Sequence, residues 1–190
     1  MIFLVVAVVI LAAAALLEIG NMKRLHPILR FMRHALSTPW HVRRHFSPQA
    51  LRRIEAAIAN SERLHAGEMR FVVEAGLHPM DIIWKKTPRR RALELFGQLN
   101  IWDTEHNNGV LIYLLLADRD VEIVADRGIH RLVRDDGWES ICHHMEQQFR
   151  QGAFEEGVVS GIAEIGALLS QHFPTQNEQR NELSNRPVVL

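Results

Sequence analysis

The sequence predicts an α/β fold, a single mixed-sheet α/β sandwich with helices on both faces, and three observations lead to this class. Residues Val110–Ala117 form an apolar run interrupted only by Tyr113, which is typical of a strand covered on both sides. After a break at residues 118–120, Val121–Asp126 alternates apolar and polar side chains, as the antiparallel partner in a hairpin does. Segments with helical periodicity lie before and after this hairpin.

The part of the chain before the hairpin predicts two helices and one further strand. Ser47-Pro48 is a favourable N-cap and first turn, and the helix that begins there is expected to end near Gly67. Residues 68–75 alternate apolar and polar side chains and are predicted to form a strand. Thr87-Pro88 repeats the capping pattern and begins a second helix that extends to Gln98.

Two long helices are predicted after the hairpin. Asp136 and Glu139 have the spacing of a capping box, and the helix that follows them ends at Gly152. The last helix covers residues 153–172 and carries an apolar stripe. Residues 175–190 are polar and aperiodic, so we predict that this tail is disordered.

Five stretches in the central and late parts of the chain follow one another in a characteristic order and spacing. They are Asn108-Gly109-Val110-Leu111, Asp118-Arg119, Val121-Glu122-Ile123, Asp126-Arg127-Gly128 and the stretch from Phe149 to Gly157. Together they resemble the TPM domain, a family of small α/β domains of bacteria and plant thylakoids. The resemblance covers roughly residues 47–173 and implies the same α/β sandwich. Some members are described as acid phosphatases or calcium binders, so the resemblance also implies these activities as expectations.

The beginning of the chain predicts a membrane anchor. Met1 to Leu17 are all apolar, and a spanning helix needs about 20 such residues. We therefore predict an N-terminal hydrophobic, transmembrane helix over residues 1–20, a basic juxtamembrane neck over 21–46 and a TPM-like domain over 47–174. The positive charges follow the anchor, so the positive-inside rule places the neck and the domain on the cytoplasmic side of a bacterial-type inner membrane.

An alternative start would change this location. If translation begins at Met22 or Met32, the same domain is a cytoplasmic protein. In the anchored protein, the neck, which lacks Asp and Glu, is expected to contact anionic lipid. A second basic run is a further candidate for lipid or anion contact, and it comprises Lys85, Lys86, Arg89, Arg90 and Arg91. Nucleic acid is not an expected partner, because the body of the chain is acidic.

Acids and amides around the apolar strand are the best candidates for a binding site. Hard cations such as Ca²⁺ or Mg²⁺ prefer carboxylate, amide and carbonyl oxygens. Asp118 lies at the other end of the strand, roughly 25 Å away, so it is not part of this group. Ordinary turn and cap chemistry is the alternative role for these residues. The candidate metal ligands are Asp103, Glu105, Asn107, Asn108 and Asp126.

The sequence leaves two functions open. It lacks a phosphate-binding glycine loop, a nucleophile elbow and a zinc-protease motif, and the single Cys142 is expected to be a buried thiol. The favoured hypothesis is a membrane-anchored interaction or assembly module with an unidentified protein partner. The alternative is a divalent-metal-dependent phosphatase in which the acidic loop holds the ion and a water attacks.

Overall fold

The computed structural model describes residues 27–175 and 181–190, and the predicted hydrophobic helix of residues 1–20 lies outside them. Within the described residues, no helix is both long enough and apolar enough to cross a bilayer. The helices are α1 (Pro27–Leu36), α2 (Pro39–His45), α3 (Pro48–Ser61), α4 (Pro79–Ile83), α5 (Pro88–Gln98), α6 (Arg127–Arg150) and α7 (Phe154–His172). The strands are β1 (Glu68–Glu74), β2 (Gly109–Leu115), β3 (Asp120–Ala125) and β4 (Val188–Val189).

One mixed sheet organises the fold, with strand order β3-β2-β1-β4. β2 and β3 pair antiparallel, with Ile112 opposite Ile123, which confirms the predicted hairpin. β1 runs parallel to β2, and Glu68 pairs with Gly109 at the start of both strands. The parallel pair requires a long crossover, and α4 and α5 supply it.

The sheet is covered on both faces, as predicted. Alternate residues of β1 belong to different cores, because successive side chains of a strand point to opposite faces. Phe71 lies in the core formed with α2, α3, α6 and α7. Val72 lies in the smaller core, which α1, α4 and α5 cover. All seven residues of β2 are buried, which explains its unbroken apolar sequence.

Helix α6 contains an interruption that the sequence anticipated. Asp126 is its N-cap, and Arg134 departs from helical geometry with φ of 62° and ψ of 172°. The second half of the helix therefore begins close to Asp136, where the capping-box spacing predicted a start. Its inward face buries Trp138 and Phe149 against the larger core.

The predicted neck is part of the folded body from residue 27 onward. Thr38 and Ser47 are N-caps of two successive helices, α2 and α3, and each is followed by a proline at the first helical position. Val42 and Phe46 are almost completely buried in the larger core. The sequence did not indicate this packing, because the surrounding charges dominate the pattern.

The prediction of a disordered tail over residues 175–190 is wrong for its last ten residues. β4 adds to the edge of β1, with Val188 opposite Val72. The backbone of Leu190 also bonds on both sides, donating to Val73 and accepting from Ala75. Leu183 and Val188 pack against the smaller core. A strand this short gives no period in the sequence, so only its pairing partner reveals it.

Candidate functional site

The loop end of the sheet, where residues 103–108 lead into β2 and Asp126 follows β3, holds the predicted acidic site. Asn107 has a positive φ of 52°, a conformation that Asn tolerates better than most residues. Its carbonyl accepts from Gly128 N at 3.0 Å. A Cβ on Gly128 would collide with that carbonyl, so glycine permits the loop and the start of α6 to meet.

Asn108 is the most deeply buried polar residue of the loop end, with 1% of its surface exposed. Its side-chain Nδ2 donates to the carbonyl of Ala66 at 2.8 Å, and its backbone N donates to Thr104 Oγ1 at 3.1 Å. The side-chain Oδ1 has no hydrogen-bond partner among the described residues. An unpaired buried oxygen is costly, so this atom is suited to a water or a cation.

Asp126 presents a second buried oxygen at the same end. Its Oδ1 accepts from Arg127 N at 2.6 Å, as an N-cap does, and its own N donates to Gly109 O at 2.8 Å. Oδ2 is buried and, within the part of the chain that the structure describes, has no partner. Asn108 and Asp126 therefore flank Gly109 with one unsatisfied oxygen each, a donor type that hard cations accept.

The other predicted ligands are less well placed. Asp103 and Glu105 are exposed, and Glu105 N donates to the carboxylate of Glu182 at 3.1 Å. Asn107 Oδ1 accepts weakly from Arg127 Nε at 3.4 Å, which adds positive charge. In residues 27–175 and 181–190, no group of three or more His, Cys, Asp or Glu side chains is arranged to hold a metal. The loop end thus assembles Asn107, Asn108 and Asp126, but not a complete ligand set of carboxylates.

Two residues at the loop end had no signal as site residues in the sequence. Arg127 lies within the family resemblance, but nothing in the sequence indicates that it contacts Asn107. Glu182 belongs to the tail that was predicted to be disordered. Only the fold brings Glu182 next to Glu105, across 77 positions of sequence.

Buried carboxylates next to the loop end hold the C-terminal segment. Glu68 accepts from the backbone N of Glu182 and of Leu183. Glu62 accepts from Met69 N at 2.9 Å and from Asn185 Nδ2 at 2.6 Å. Burial, with the nearby charge of Glu68, raises the pKa of Glu62 to about 7. Burial likewise raises the pKa of Glu68.

The turn end of the sheet, where residues 116–119 connect β2 to β3, is arranged differently. Asp118 accepts from Arg30 Nε and Nη2 at 3.1 and 3.0 Å and from His34 Nε2 at 3.1 Å. Arg33 Nη1 lies 3.8 Å from the same carboxylate. Burial opposes ionisation, but the hydrogen bond to His34 and the charge of Arg30 hold the pKa of Asp118 below its ordinary value. This acid is neutralised by α1 and has a structural role.

The basic run 85–91 is largely engaged within the protein. Lys86 bridges Asp81 and Glu94 at 2.8 and 3.0 Å. Arg90 lies 3.7 Å from Glu94, and Arg89 donates to the carbonyl of Ile123 at 2.5 Å. Lys85 is exposed. These pairings compete with the lipid or anion contact that the sequence predicted for the run.

Arg91 completes a buried polar group on the sheet. Its Nε and Nη2 donate to the two oxygens of Glu74 at 2.9 and 3.1 Å. Tyr113 Oη donates to Glu74 Oε2 at 2.7 Å. Burial and the adjacent Glu74 charge raise the pKa of Tyr113, so the phenol stays protonated. This group explains the single polar residue in the apolar run of β2.

Cys142 is half-buried beside the edge strand β3. Burial raises the pKa of its thiol to about 12. The thiolate is the reactive form of cysteine, so this side chain is poorly suited to nucleophilic chemistry. The sequence predicted a buried thiol, whereas the structure leaves Cys142 partly exposed and packed against the larger core.

Helix α1 is inverted, in that its basic side chains face inward and its apolar side chains face outward. The side chain of His34 is fully buried, and those of Arg30 and Arg33 are about three-quarters buried as they reach Asp118. On the opposite side, Ile28 is 57% exposed and Leu36 is 66% exposed. Surface helices normally bury the apolar stripe instead.

A neighbouring helix also carries exposed apolar side chains. α4 contacts α1, and its Ile83 is 58% exposed while the adjacent Trp84 is 70% exposed. We call these exposed residues the outer apolar face; they are Ile28, Met32, Leu36, Met80, Ile83 and Trp84. Exposed apolar patches of this kind mark contact with a protein or a membrane.

The fold and the loop end define the class of protein: a small α/β sandwich with a mixed sheet and an acidic loop before its central strand. The chain belongs to the TPM domain family, because the family model described as TPM domain matches residues 43–168. A comparison with curated proteins finds no match. The family match begins after α1 and ends before β4.

A solved structure supports the same assignment. The chain is similar to BA42 protein from the psychrophilic bacterium Bizionia argentinensis, whose structure was determined by NMR. The two are 30% identical, with a TM-score of 0.68. The similarity covers 76% of this chain and 94% of that one. The suspected family and the predicted α/β sandwich are therefore confirmed.

Proposed function

We propose that this chain is a membrane-anchored TPM-domain protein that acts as an interaction or assembly module at the cytoplasmic face. The observation that carries the proposal is the inverted helix α1, which turns its basic residues to Asp118 and its apolar residues to the outside. Leaving an apolar stripe exposed costs solubility, so a partner surface is the simplest reason to keep it.

The position of α1 in the chain supports the same function. The predicted anchor of residues 1–20 precedes it directly, so the outer apolar face would be held near the bilayer. The segment from Ile19 to Ile54 contains eight Lys and Arg residues, which favours the cytoplasmic side. Both features act together to present one face of the domain to other components of the membrane.

Photo-crosslinking of the full chain in membranes tests this proposal. A photoreactive amino acid at Leu36 or Trp84 is expected to yield protein adducts, whereas the same residue at Leu132 is not. Leu132 is a matched control, because it is 50% exposed but lies on α6. Lipid adducts alone would replace the interaction module with a surface that rests on the bilayer. Recovery of the full chain in the soluble fraction would contradict the anchor.

The alternative function is a divalent-metal-dependent phosphatase, and one observation favours it. Asn108 Oδ1 and Asp126 Oδ2 are buried without a partner among the described residues. Together with Asn107 they would hold Ca²⁺ or Mg²⁺, which would supply an activated water for attack on a phosphate. Water molecules and the exposed Asp103 or Glu105 would have to complete the coordination.

A metal titration followed by thermal unfolding tests the alternative. A ligand that binds only the native state at a hundredfold excess over Kd stabilises it by about 2.7 kcal/mol. Asp126→Asn is expected to abolish that stabilisation and any phosphatase turnover. The exposed Asp103→Asn should weaken it only slightly. The same metal response in both variants would remove the loop end as the site.

A further inference from the structure

A pocket on the far side of β1 from β2 is lined by an excess of basic residues. It has a volume of about 550 Å³ and lies between α3 and the C-terminal segment. Three arginines line it, Arg52, Arg70 and Arg186, against the single acidic residue Glu55. This excess of positive charge distinguishes the pocket from the basic run 85–91, whose charges are mostly matched by carboxylates.

None of these arginines forms an ion pair with a carboxylate in residues 27–175 and 181–190. Arg70 Nη1 donates to the carbonyl of Ser184, a neutral acceptor that leaves its charge uncompensated. Burial lowers the pKa of Arg70, with no opposing contribution from a carboxylate. An anion in the pocket would supply the missing countercharge, and guanidinium groups bind phosphate with matched, bidentate geometry.

Apart from Ser184, the rest of the lining is apolar. Leu51 contributes from α3, and Val188 and Val189 contribute from β4. A few charged groups on an apolar wall are typical of small-molecule sites, and the volume falls within their usual range of about 300–1,000 Å³. The combination favours an anion that is attached to an organic group over a bare ion.

We propose that this pocket binds the phosphate group of an organic phosphate monoester through Arg52, Arg70 and Arg186. The C-terminal segment completes the site, since Arg186 and both valines come from it. The phosphate belongs either to a soluble ester or to the headgroup of an anionic lipid such as phosphatidic acid. The pocket is separate from the loop end and from the outer apolar face, so it does not rest on the proposed function.

Calorimetric titration of the full chain in neutral detergent with glycerol phosphate tests the site. Arg52→Gln and Arg186→Gln are each expected to raise Kd about tenfold, because each removes a charged donor. Arg131→Gln is the matched control, since Arg131 is exposed on α6. Arg52 and Arg186 are both exposed, so these two variants should fold, and unchanged thermal unfolding verifies this.

Two further measurements complete the test. Sodium chloride at matched ionic strength must not reproduce the heat of binding seen with glycerol phosphate. If it does, simple screening of charge explains that heat and the proposal fails. Mixed micelles of the same detergent with phosphatidic acid compete with glycerol phosphate if the ligand is a headgroup, and they do not if it is a soluble ester. Absence of binding to both probes, or equal binding by the Arg52→Gln/Arg186→Gln double variant, overturns the site.

Discussion

The two ends of the β2–β3 hairpin treat acidic side chains in opposite ways. At the turn end, Asp118 is held by Arg30, Arg33 and His34, and its pKa is lowered. At the loop end, one oxygen of Asp126 has no hydrogen-bond partner in the part of the chain that the structure describes, and the neighbouring Glu62 has a raised pKa. The difference teaches that acidic residues in similar turns cannot be assigned a function from sequence alone. The cations that surround them decide it.

The largest expected effect is at the turn end. Asp118→Ala removes the partner of three basic side chains on α1 and leaves them partly buried without a countercharge. Breaking such a pair should lower the free energy of unfolding by about 3 kcal/mol. Urea unfolding measures the loss. Asp103→Ala at the loop end is the control, and its exposed side chain should cost less than about 0.5 kcal/mol. Equal costs would abolish the contrast between the ends.

The next effect tests whether the loop end depends on backbone packing. A Cβ on Gly128 would collide with the carbonyl oxygens of Asn107 and His106. Gly128→Ala should therefore lower the free energy of unfolding by about 2 kcal/mol. Gly97→Ala is the matched control on α5, where a Cβ has open space, and the gain in helix propensity should stabilise it slightly. Chemical denaturation of both variants provides the comparison.

The pH dependence of stability should differ between native protein and Glu62→Gln. The folded protein holds the Glu62 proton more tightly than the unfolded chain, so its contribution is full below pH 4.5 and is lost as pH rises to about 7. The loss is about 2 kcal/mol after allowance for partial exposure. Unfolding curves of both proteins between pH 4.5 and 7 should show it as a change in the difference between their free energies of unfolding.

A buried histidine modifies this pH response. His65 is 1% exposed, and burial lowers its pKa from 6.5 to about 4. The unfolded chain therefore binds the proton more tightly, and stability falls as pH decreases from 6.5 to 4. This trend opposes that of Glu62, so Glu62→Gln should unmask it. Identical profiles for the two proteins would show that Glu62 ionises normally.

Much of the fold follows from the sequence because it depends on local patterns. The unbroken apolar run predicted β2, and the alternation of apolar and polar residues predicted β3. The capping residues followed by proline predicted the starts of α3 and α5. The strand β4 could not be predicted, since its hydrogen bonds come from β1, more than a hundred positions away. The packing of α1 and α2 has a similar cause, because Asp118, which α1 binds, and the larger core, which α2 enters, are formed by residues remote in sequence.

The site was harder to predict than the fold. Proximity of Asn108 and Asp126 follows from hairpin register, and the structure brings these two residues together around Gly109. The register of the hairpin does not reveal that Asp103 is exposed. It also does not reveal that basic side chains of α1 surround Asp118. The sequence gave no indication that three arginines share a pocket, because they lie on a helix, a strand and the C-terminal segment. These residues are Arg52, Arg70 and Arg186.

The smallest expected effect tests whether the charge of Arg30 or the geometry of its hydrogen bonds stabilises Asp118. Arg30 donates through two nitrogens to one carboxylate oxygen, a geometry that lysine cannot reproduce. Arg30→Lys keeps the charge and should lower the free energy of unfolding by about 1 kcal/mol. Arg131→Lys on the exposed surface of α6 should change it by less than about 0.5 kcal/mol. If Arg30→Lys is as stable as native protein, charge alone neutralises the turn end. The ends would then differ only in the number of nearby cations, and an added lysine beside Asp126 should make the loop end resemble the turn end.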